Sequence, residues 1–257
     1  MTDMTTTYEV STVDFLVRAA REFRRGGWVF TGFHWPVLAG QLAYALDGKS
    51  FVQAFEAGAT AHGAGRLVPT STTDYPAYGN ALGFVGDSAS ILLSMARRFD
   101  RVVLDASNVD VNGCVNSSYI GFRERPTVRL PGGGGSPDIA ARARELVWLS
   151  GGTDLRRIQA KVDHVTAAPG PNSLVRLHTR WGSAILGANA RLEELADVDG
   201  VDAFVTHMES LGVQNIAPTQ RVPIEESERE AAVAVLRAAA DRGYLVARRA
   251  LAPTGRT

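Results

Sequence analysis

Glu56 is the residue of this chain best placed to do chemistry. The run Phe51-Val52-Gln53-Ala54-Phe55 reads as a buried strand, and it ends on this one carboxylate. A glycine-rich stretch from Gly58 to Gly65 follows at once. A charge at the exit of a buried strand is costly unless it is used, and open α/β sheets carry their chemistry at the carboxyl ends of strands. Much further along, Pro131-Gly132-Gly133-Gly134-Gly135-Ser136-Pro137 sets four glycines between two prolines. Backbone N–H groups in such a loop stand unshielded. A carboxylate nucleophile and an N–H-rich loop are the two parts an acyl-transfer site needs. Taken singly, Glu56 also fits a strand-end charge paired with an arginine, and the glycine run a tight surface loop.

Positioning these groups calls for helices and strands in alternation. Ser11 is the expected N-cap of a first helix, in which Val13, Leu16, Val17, Ala20 and Phe23 recur at helical spacing before Gly26-Gly27. Trp28 to Thr31 reads as a strand, and Pro36 as the first residue of a helix reaching Leu46. The strand ending at Glu56 comes next. Asp74 to Asn80 reads as a loop, and Asp87 to Arg98 as an amphipathic helix with Ile91, Leu92 and Met95 inward. Val102 to Leu104 is a buried strand. Asn112-Gly113 is expected to turn a hairpin between 109–111 and 114–116. A short helix from Pro137, a strand at Leu146 to Leu149, further strands between Ser173 and Ala196, and a helix from Glu225 to Arg242 ended by Gly243 complete the reading. The pattern predicts an α/β fold, an open and largely parallel sheet flanked by helices with a β-rich C-terminal half. Residues 1–10 are expected to be a flexible tail and 11–257 one domain.

Composition narrows the function classes. The chain has 257 residues, 45% hydrophobic and 21% charged, as in ordinary globular proteins. Lys plus Arg equals Asp plus Glu at 27 each, so no net charge pulls it to nucleic acid or an anionic membrane. A single cysteine, Cys114, excludes an internal disulfide framework and fits a cytoplasmic location. The Thr-rich start lacks the apolar core of a signal peptide, and no segment approaches the ~20 apolar residues that span a bilayer. The five histidines have no ligand spacing, so no metal is expected. His34 and His62 are left without a role, and Cys114 reads as a small buried side chain on the hairpin. Arg248-Arg249 reads as a solvated tail.

The order of features resembles the β subunit of the family I CoA-transferases, most closely the glutaconate CoA-transferase branch. Thr31-Gly32 with Pro36 and Gly40 is similar to the family's early Gly-x-x-x-Pro segment. Phe55-Glu56-Ala57-Gly58 resembles its Glu-Ser-Gly or Glu-Asn-Gly motif. Val109 to Ser117 resembles its Asp-x-x-Gly-Asn-Val-Asn-Ser hairpin, Gly132 to Ser136 its glycine loop, and Lys161-Val162-Asp163-His164-Val165-Thr166 its Lys-hydrophobic-Asp-x-Val-Thr strand. The resemblance runs from about Val13 to about Arg242, and the hairpin and the Lys161–Thr166 segment are specific as a pair. Two departures stand out. Ala57 replaces a hydrogen-bonding residue beside the glutamate, and Cys114 replaces an Asn.

The resemblance implies a chemistry. Glu56 would attack a donor acyl-CoA to give a mixed anhydride, and the released thiolate would attack the glutamyl carbonyl to give an enzyme–CoA thioester. Gly133, Gly134 and Gly135 would hold the oxyanion, and Gly58, Asn112 and Asn116 would support the backbone around the site. No tightly bound cofactor is implied, and coenzyme A thioester enters as substrate. An α-type subunit would complete the enzyme, with two α and two β chains, cytoplasmic and bound to neither membrane nor nucleic acid. Two alternatives stay open: a hydrolase, ring-opening lyase or decarboxylase on the same fold, and a non-catalytic partner subunit. In one such branch another residue replaces the glutamate, and Glu56 therefore tilts the reading toward transfer. The acid acted on stays open.

Overall fold

The computed structural model describes residues 8–48, 51–215 and 223–252. Helix α1 (Val10–Arg24), strand β1 (Gly27–Thr31), helix α2 (Trp35–Asp47) and strand β2 (Phe51–Phe55) open the chain in the expected alternation. Strand β3 (Ala59–Ala61), a short helix α3 (Tyr75–Tyr78) and strand β4 (Leu82–Val85) follow. Strands β5 (Arg101–Asp105), β6 (Val109–Asp110), β7 (Tyr119–Gly121) and β8 (Pro126–Arg129) lead to helix α4 (Ser136–Ala140). Beyond it lie β9 (Glu145–Ser150), β10 (Ile158–Gln159), β11 (Leu174–Thr179), β12 (Gly182–Leu186) and β13 (Arg191–Leu195). Helices α5 (Val201–Ser210), α6 (Glu226–Asp241) and α7 (Leu245–Ala250) complete the described elements.

Nine strands form one sheet in the order β13-β12-β11-β9-β5-β1-β2-β3-β4. The pairings among β11, β9, β5, β1 and β2 are parallel, and those toward both edges are antiparallel. One face carries α1, α2, α6 and α7 over a core that includes Phe15, Leu38 and Phe55. The other buries Phe30, Ile91, Ile139, Trp148 and Phe204 under α4 and α5. Apolar side chains cover both faces of the central strands, which is why those strands read as continuous hydrophobic runs.

Helix α1 buries every residue of its expected stripe, Val13, Leu16, Val17, Ala20 and Phe23, at 0% exposure. Its polar side chains also work inward. Arg18 donates to the carbonyl oxygens of Thr179 and Arg180 at 2.8 and 2.9 Å, and burial lowers its pKa to about 10. Glu22 accepts from Arg25 at 2.8 Å and lies 3.0 Å from His178 Nε2. Burial alone would raise the Glu22 pKa, but His178, Arg176 and Arg25 hold it well below the usual carboxylate range. These ties fasten α1 to β11.

Several expectations are corrected. The residue flanking α1 is Glu9, not Ser11, because its carboxylate takes the Ser11 and Thr12 hydroxyls at 3.2 and 2.8 Å and the helix starts at Val10. Residues 8–10 of the expected tail therefore belong to or precede this helix, and residues 1–7 lie outside the described ones. The stretch 74–80 is not loop but α3 and a 3₁₀ turn, held by Asp74, which accepts from Thr70 and Arg242. The helix expected over 87–98 is confined to a π turn at Ser90–Ser94 and its flanks. Arg248 and Arg249 lie on α7 rather than in a tail.

Candidate active site

Strand β1 fixes the level of the carboxylate. Thr31 pairs with Phe55, so Glu56 leaves the carboxyl end of β2 level with Gly32. The chain then turns tightly, with the Gly58 N–H donating to the Phe55 carbonyl oxygen at 3.0 Å. Gly58 has φ +110, and a Cβ there would lie 2.5 Å from the Gly86 carbonyl oxygen. No side chain fits that approach. Tyr75, on α3, donates its hydroxyl to the Ala57 carbonyl oxygen at 3.0 Å. Glu56 itself is half-buried.

The glycine loop meets this carboxylate. The Gly135 N–H donates to Glu56 Oε1 at 3.0 Å. A Cβ on Gly134 would lie 3.5 Å from both Glu56 oxygens, and one on Gly135 would lie 3.1 Å from Glu56 Cδ and 2.9 Å from Leu92 Cδ1. The π turn brings Leu92 here at the edge of the core in which Ile91 is fully buried. Gly133 packs on Thr166, where a Cβ would come within 2.8 Å of Cγ2. Gly134 and Gly135 therefore border the carboxylate, whereas Gly133 meets the segment behind the loop.

That segment anchors the loop from the rear. The Gly132 N–H donates to the Ser117 carbonyl oxygen at 2.7 Å, and the Ser117 N–H donates to Thr166 Oγ1 at 3.0 Å. Ser118 Oγ lies 2.7 Å from the same Thr166 oxygen. Asn116 is buried, accepts the Ser118 N–H at 3.1 Å and donates to the Tyr119 carbonyl oxygen at 2.7 Å. Asn108 donates to the Asn116 carbonyl oxygen at 3.1 Å.

Asn112 lies exposed at the turn, and its N–H donates to Asp110 Oδ1 at 3.0 Å. Asp110 organises this region, taking also the N–H groups of Cys114 at 3.0 Å and Val162 at 3.2 Å while only 2% exposed. The expected hairpin is reduced accordingly. Strand β6 pairs in parallel with β10, and the return limb makes one bridge from Val109 to Val115. Lys161–Thr166 is irregular rather than a strand, and a bridge joins Val115 to Ala167 beyond it. Sequence reasoning alone passes over Asp110 as a working residue. The available signal is a carboxylate two positions before a turn, which can accept N–H groups from the turn itself. Cys114 is half-buried, and burial, then Asp110, raises its thiol pKa, so it is no ready nucleophile.

The carboxyl ends of the neighbouring strands carry further polar groups. His34 follows β1 and lies with Nδ1 3.5 Å from Asp105 Oδ2 at the end of β5. A cavity of about 440 Å³ opens beyond Asp105, lined by Trp35, Ser107, Ser150, Arg157 and Arg180 among others, and Glu56 lies outside it. His62 stands over Gly83 on the far side of the sheet's β3–β4 edge. Among the described residues no group of three or more His, Cys, Asp or Glu could hold a metal ion, and no helix is long and apolar enough to cross a membrane. A carboxylate held by a backbone N–H, with more glycine backbone around it, can attack a carbonyl and then have its own carbonyl oxygen held in the same place.

No family model matches the chain. In sequence it is 32% identical over 142 residues to the B subunit of 3-oxoadipate CoA-transferase from Pseudomonas knackmussii, a match covering 52% of this chain and 51% of the relative, so it spans about half the length of the curated relative it matches. In structure it is similar to a variant of the decarboxylase AibA/AibB, with a TM-score of 0.74 and 23% identity over 94% of this chain and 98% of the other. It is also similar to glutaconate CoA-transferase of Acidaminococcus fermentans, with a TM-score of 0.67 and 19% identity over 79% of this chain and 85% of the other. Over about half of its length the chain is thus similar in sequence to the B subunit of a CoA-transferase, and over most of its length it shares the fold of glutaconate CoA-transferase and of AibA/AibB.

Proposed function

We propose that the chain is the β subunit of a CoA-transferase that moves CoA between an acyl-CoA and a carboxylic acid, with Glu56 as the nucleophile. The observation that carries this reading is the Gly135 N–H donating to Glu56 Oε1 at 3.0 Å. The Glu56 carboxylate attacks the thioester carbonyl and expels CoA thiolate, leaving an acyl–glutamyl anhydride. The thiolate attacks the glutamyl carbonyl and expels the donor acid, leaving a glutamyl–CoA thioester. An acceptor carboxylate attacks that thioester, the thiolate returns to the new acyl group, and Glu56 is released. Each addition puts negative charge on a carbonyl oxygen. For the additions at the glutamyl carbonyl, that oxygen is the one the Gly135 N–H already holds, with Gly134 beside it. A prepositioned donor of this kind lowers the barrier by about 2.7–4 kcal/mol.

An α-type partner completes the site. Phe84 and Val85 on edge strand β4 are 51% and 50% exposed, and Leu93 on the π turn is 59% exposed. The π turn borders the carboxylate through Leu92 against Gly135, and the residue after β4, Gly86, meets Gly58 in the turn that follows Glu56. An apolar rim around a half-buried nucleophile is what a second chain covers. It would also exclude the water that hydrolyses both intermediates. The relatives include a decarboxylase of two named parts, AibA and AibB, and a B subunit of a CoA-transferase, which fits a two-chain enzyme. CoA thioester serves as substrate, and the chain works in the cytoplasm.

A decarboxylase reading has one specific support, the similarity to AibA/AibB over nearly all of the chain. The test is to incubate the purified two-chain complex with a panel of acyl-CoAs, with and without free acids. Transfer yields a new acyl-CoA only when an acid is present and leaves total thioester constant. Loss of thioester without acid would replace this reading with hydrolysis, and release of carbon dioxide would replace it with decarboxylation.

A further inference from the structure

Three arginines converge on one cleft. Arg97 follows the π turn, and Arg142 and Arg144 follow α4, yet all three line a cavity of about 430 Å³ together with Pro171, Asn172 and Ser173. Guanidinium groups from two separate segments do not make the solvated face of a single helix. Like charges brought together oppose the compact state unless something answers them. Among the described residues no carboxylate lines the cleft, and neither Arg97 nor Arg144 forms an ion pair. The acids adjacent in sequence are engaged elsewhere. Glu145 binds Arg25 Nη1 at 2.8 Å, and Asp100 accepts the Trp28 N–H at 2.8 Å. Asp138 is the exception, lying 3.5 Å from Arg142 Nη1. Arg24, Arg176, Arg229 and Arg242, by contrast, each meet a carboxylate.

Backbone ties hold the cleft in shape. Arg142 Nη1 donates to the Asp138 carbonyl oxygen at 2.8 Å, and Arg144 Nη2 to that of Arg97 at 3.4 Å, so two of the guanidiniums are aimed by carbonyl groups. Ser173 Oγ donates to the Ala143 carbonyl oxygen at 2.6 Å, and the Leu174 N–H to that of Arg144 at 2.8 Å. Gly170 passes so close that a Cβ there would lie 2.6 Å from the Ala141 carbonyl oxygen. Loop 170–173 is thereby pinned beside the segment that follows α4. Arg97, Arg144 and Ser173 precede β5, β9 and β11. The cleft therefore sits at the amino ends of the parallel strands, whereas Glu56 leaves a carboxyl end.

We propose that this cleft binds a phosphate-bearing anion, held by Arg97, Arg142 and Arg144 with Asn172 beside them. Guanidinium forks match the oxygens of a phosphate, and a cleft lined by one sign of charge concentrates counter-ions before contact. The cavity falls in the range of small-molecule pockets, about 300–1,000 Å³. It leaves room beyond one phosphate group, so a diphosphate or a nucleotide fits it better than a lone phosphate ion. Two sources carry that chemistry: the nucleotide end of CoA, and a separate diphosphate or nucleotide. The inference does not depend on the role of Glu56.

Isothermal titration calorimetry of the assembled complex with inorganic pyrophosphate reads the site without turnover. Wild type should bind, and more weakly as salt is raised. Arg97→Ala and Arg144→Ala should each raise Kd about 10- to 100-fold, the scale of one charge-assisted hydrogen bond. Arg97→Lys, which keeps the charge but not the fork, should raise it less. Without ligand, Tm of all three variants should stay within a few degrees of wild type, because both arginines are exposed. The same titrations with ATP, CoA and pantetheine identify the source. A loss shown by CoA and not by pantetheine assigns the site to the nucleotide end of CoA, and a loss shown by ATP with CoA unaffected assigns it to a separate nucleotide. Binding is measured directly, so a failure of CoA transfer leaves the site standing. No binding of pyrophosphate, ATP or CoA by wild type, or an equal Kd in wild type and both alanine variants, would overturn the proposal.

Discussion

Gly135 and Glu56 are 79 positions apart in sequence, yet the N–H of one donates to the carboxylate of the other at 3.0 Å. The contact joins the end of β2 to the residue preceding α4, two places with no strand pairing between them. It is held from behind by the ladder Asn108–Asn116, Ser117–Thr166 and Gly132–Ser117. A long-range contact with that much support is pre-organised for use, since nothing in it has to move for the carboxylate oxygen to become a carbonyl oxygen.

The first prediction concerns that donor. Gly135→Ala puts a Cβ 3.1 Å from Glu56 Cδ and 2.9 Å from Leu92 Cδ1, so the carboxylate must shift. A misplacement near 1 Å can lower turnover by about 10²-fold. Gly134→Val should lose a similar factor, because Gly134 has φ +52 and a branched side chain there moves the loop. Ser136→Ala should be mild. The check is kcat for all three in the assembled complex, and a larger loss in Ser136→Ala would mean that the hydroxyl works and the backbone does not.

Asp110 should matter for stability before chemistry. Its carboxylate takes three N–H groups, from Asn112, Cys114 and Val162. Asp110→Asn removes a charged acceptor from a site only 2% exposed and should destabilise by roughly 2–4 kcal/mol. Asn112→Ala, at an exposed turn position, should stay within about 0.5 kcal/mol. Urea denaturation of the two variants distinguishes them.

Glu22 sets an acid limit on the fold. With its folded pKa held below the ordinary value of 4.5, its contribution is present above that value and is lost as pH falls through the lower folded one. Glu22→Gln cannot titrate, so its stability should fall less steeply than wild type below pH 4.5. At neutral pH it should be weaker by about 3 kcal/mol, since Arg176 and His178 lose a buried partner. Urea titrations at neutral and acid pH read both effects. Parallel curves for the two proteins would remove Glu22 from the explanation of acid stability.

Legibility in the sequence follows the range of the interaction. Helix α1, strand β2 and the three strands between Leu174 and Leu195 show plain periodicity, and each lies where the pattern puts it. The meeting of Glu56 with the glycine loop is legible only through resemblance, because no local pattern brings residues 79 apart together. Residues 74–80 and 87–98 depart from their local patterns for a shared reason. Tyr75 reaching Ala57 and Leu92 reaching Gly135 are tertiary contacts that override local turn and helix signals. The β7–β8 hairpin, α5 and α7 carry short or weakly periodic apolar patterns. Asp110 reads as a strand residue, which it is in β6, and its second task as an acceptor for backbone N–H groups shows only in its place two positions before the turn.

The central claim is that Glu56 becomes covalently attached to CoA. The measurement is intact mass of the chain after the two-chain complex is mixed with an acyl-CoA donor in the absence of acceptor acid, followed by peptide mapping. The account predicts a CoA adduct on Glu56, removed by hydroxylamine and absent in Glu56→Ala, which should remain folded and lose transfer. Normal turnover in Glu56→Ala, or an adduct mapped to another residue, would contradict it.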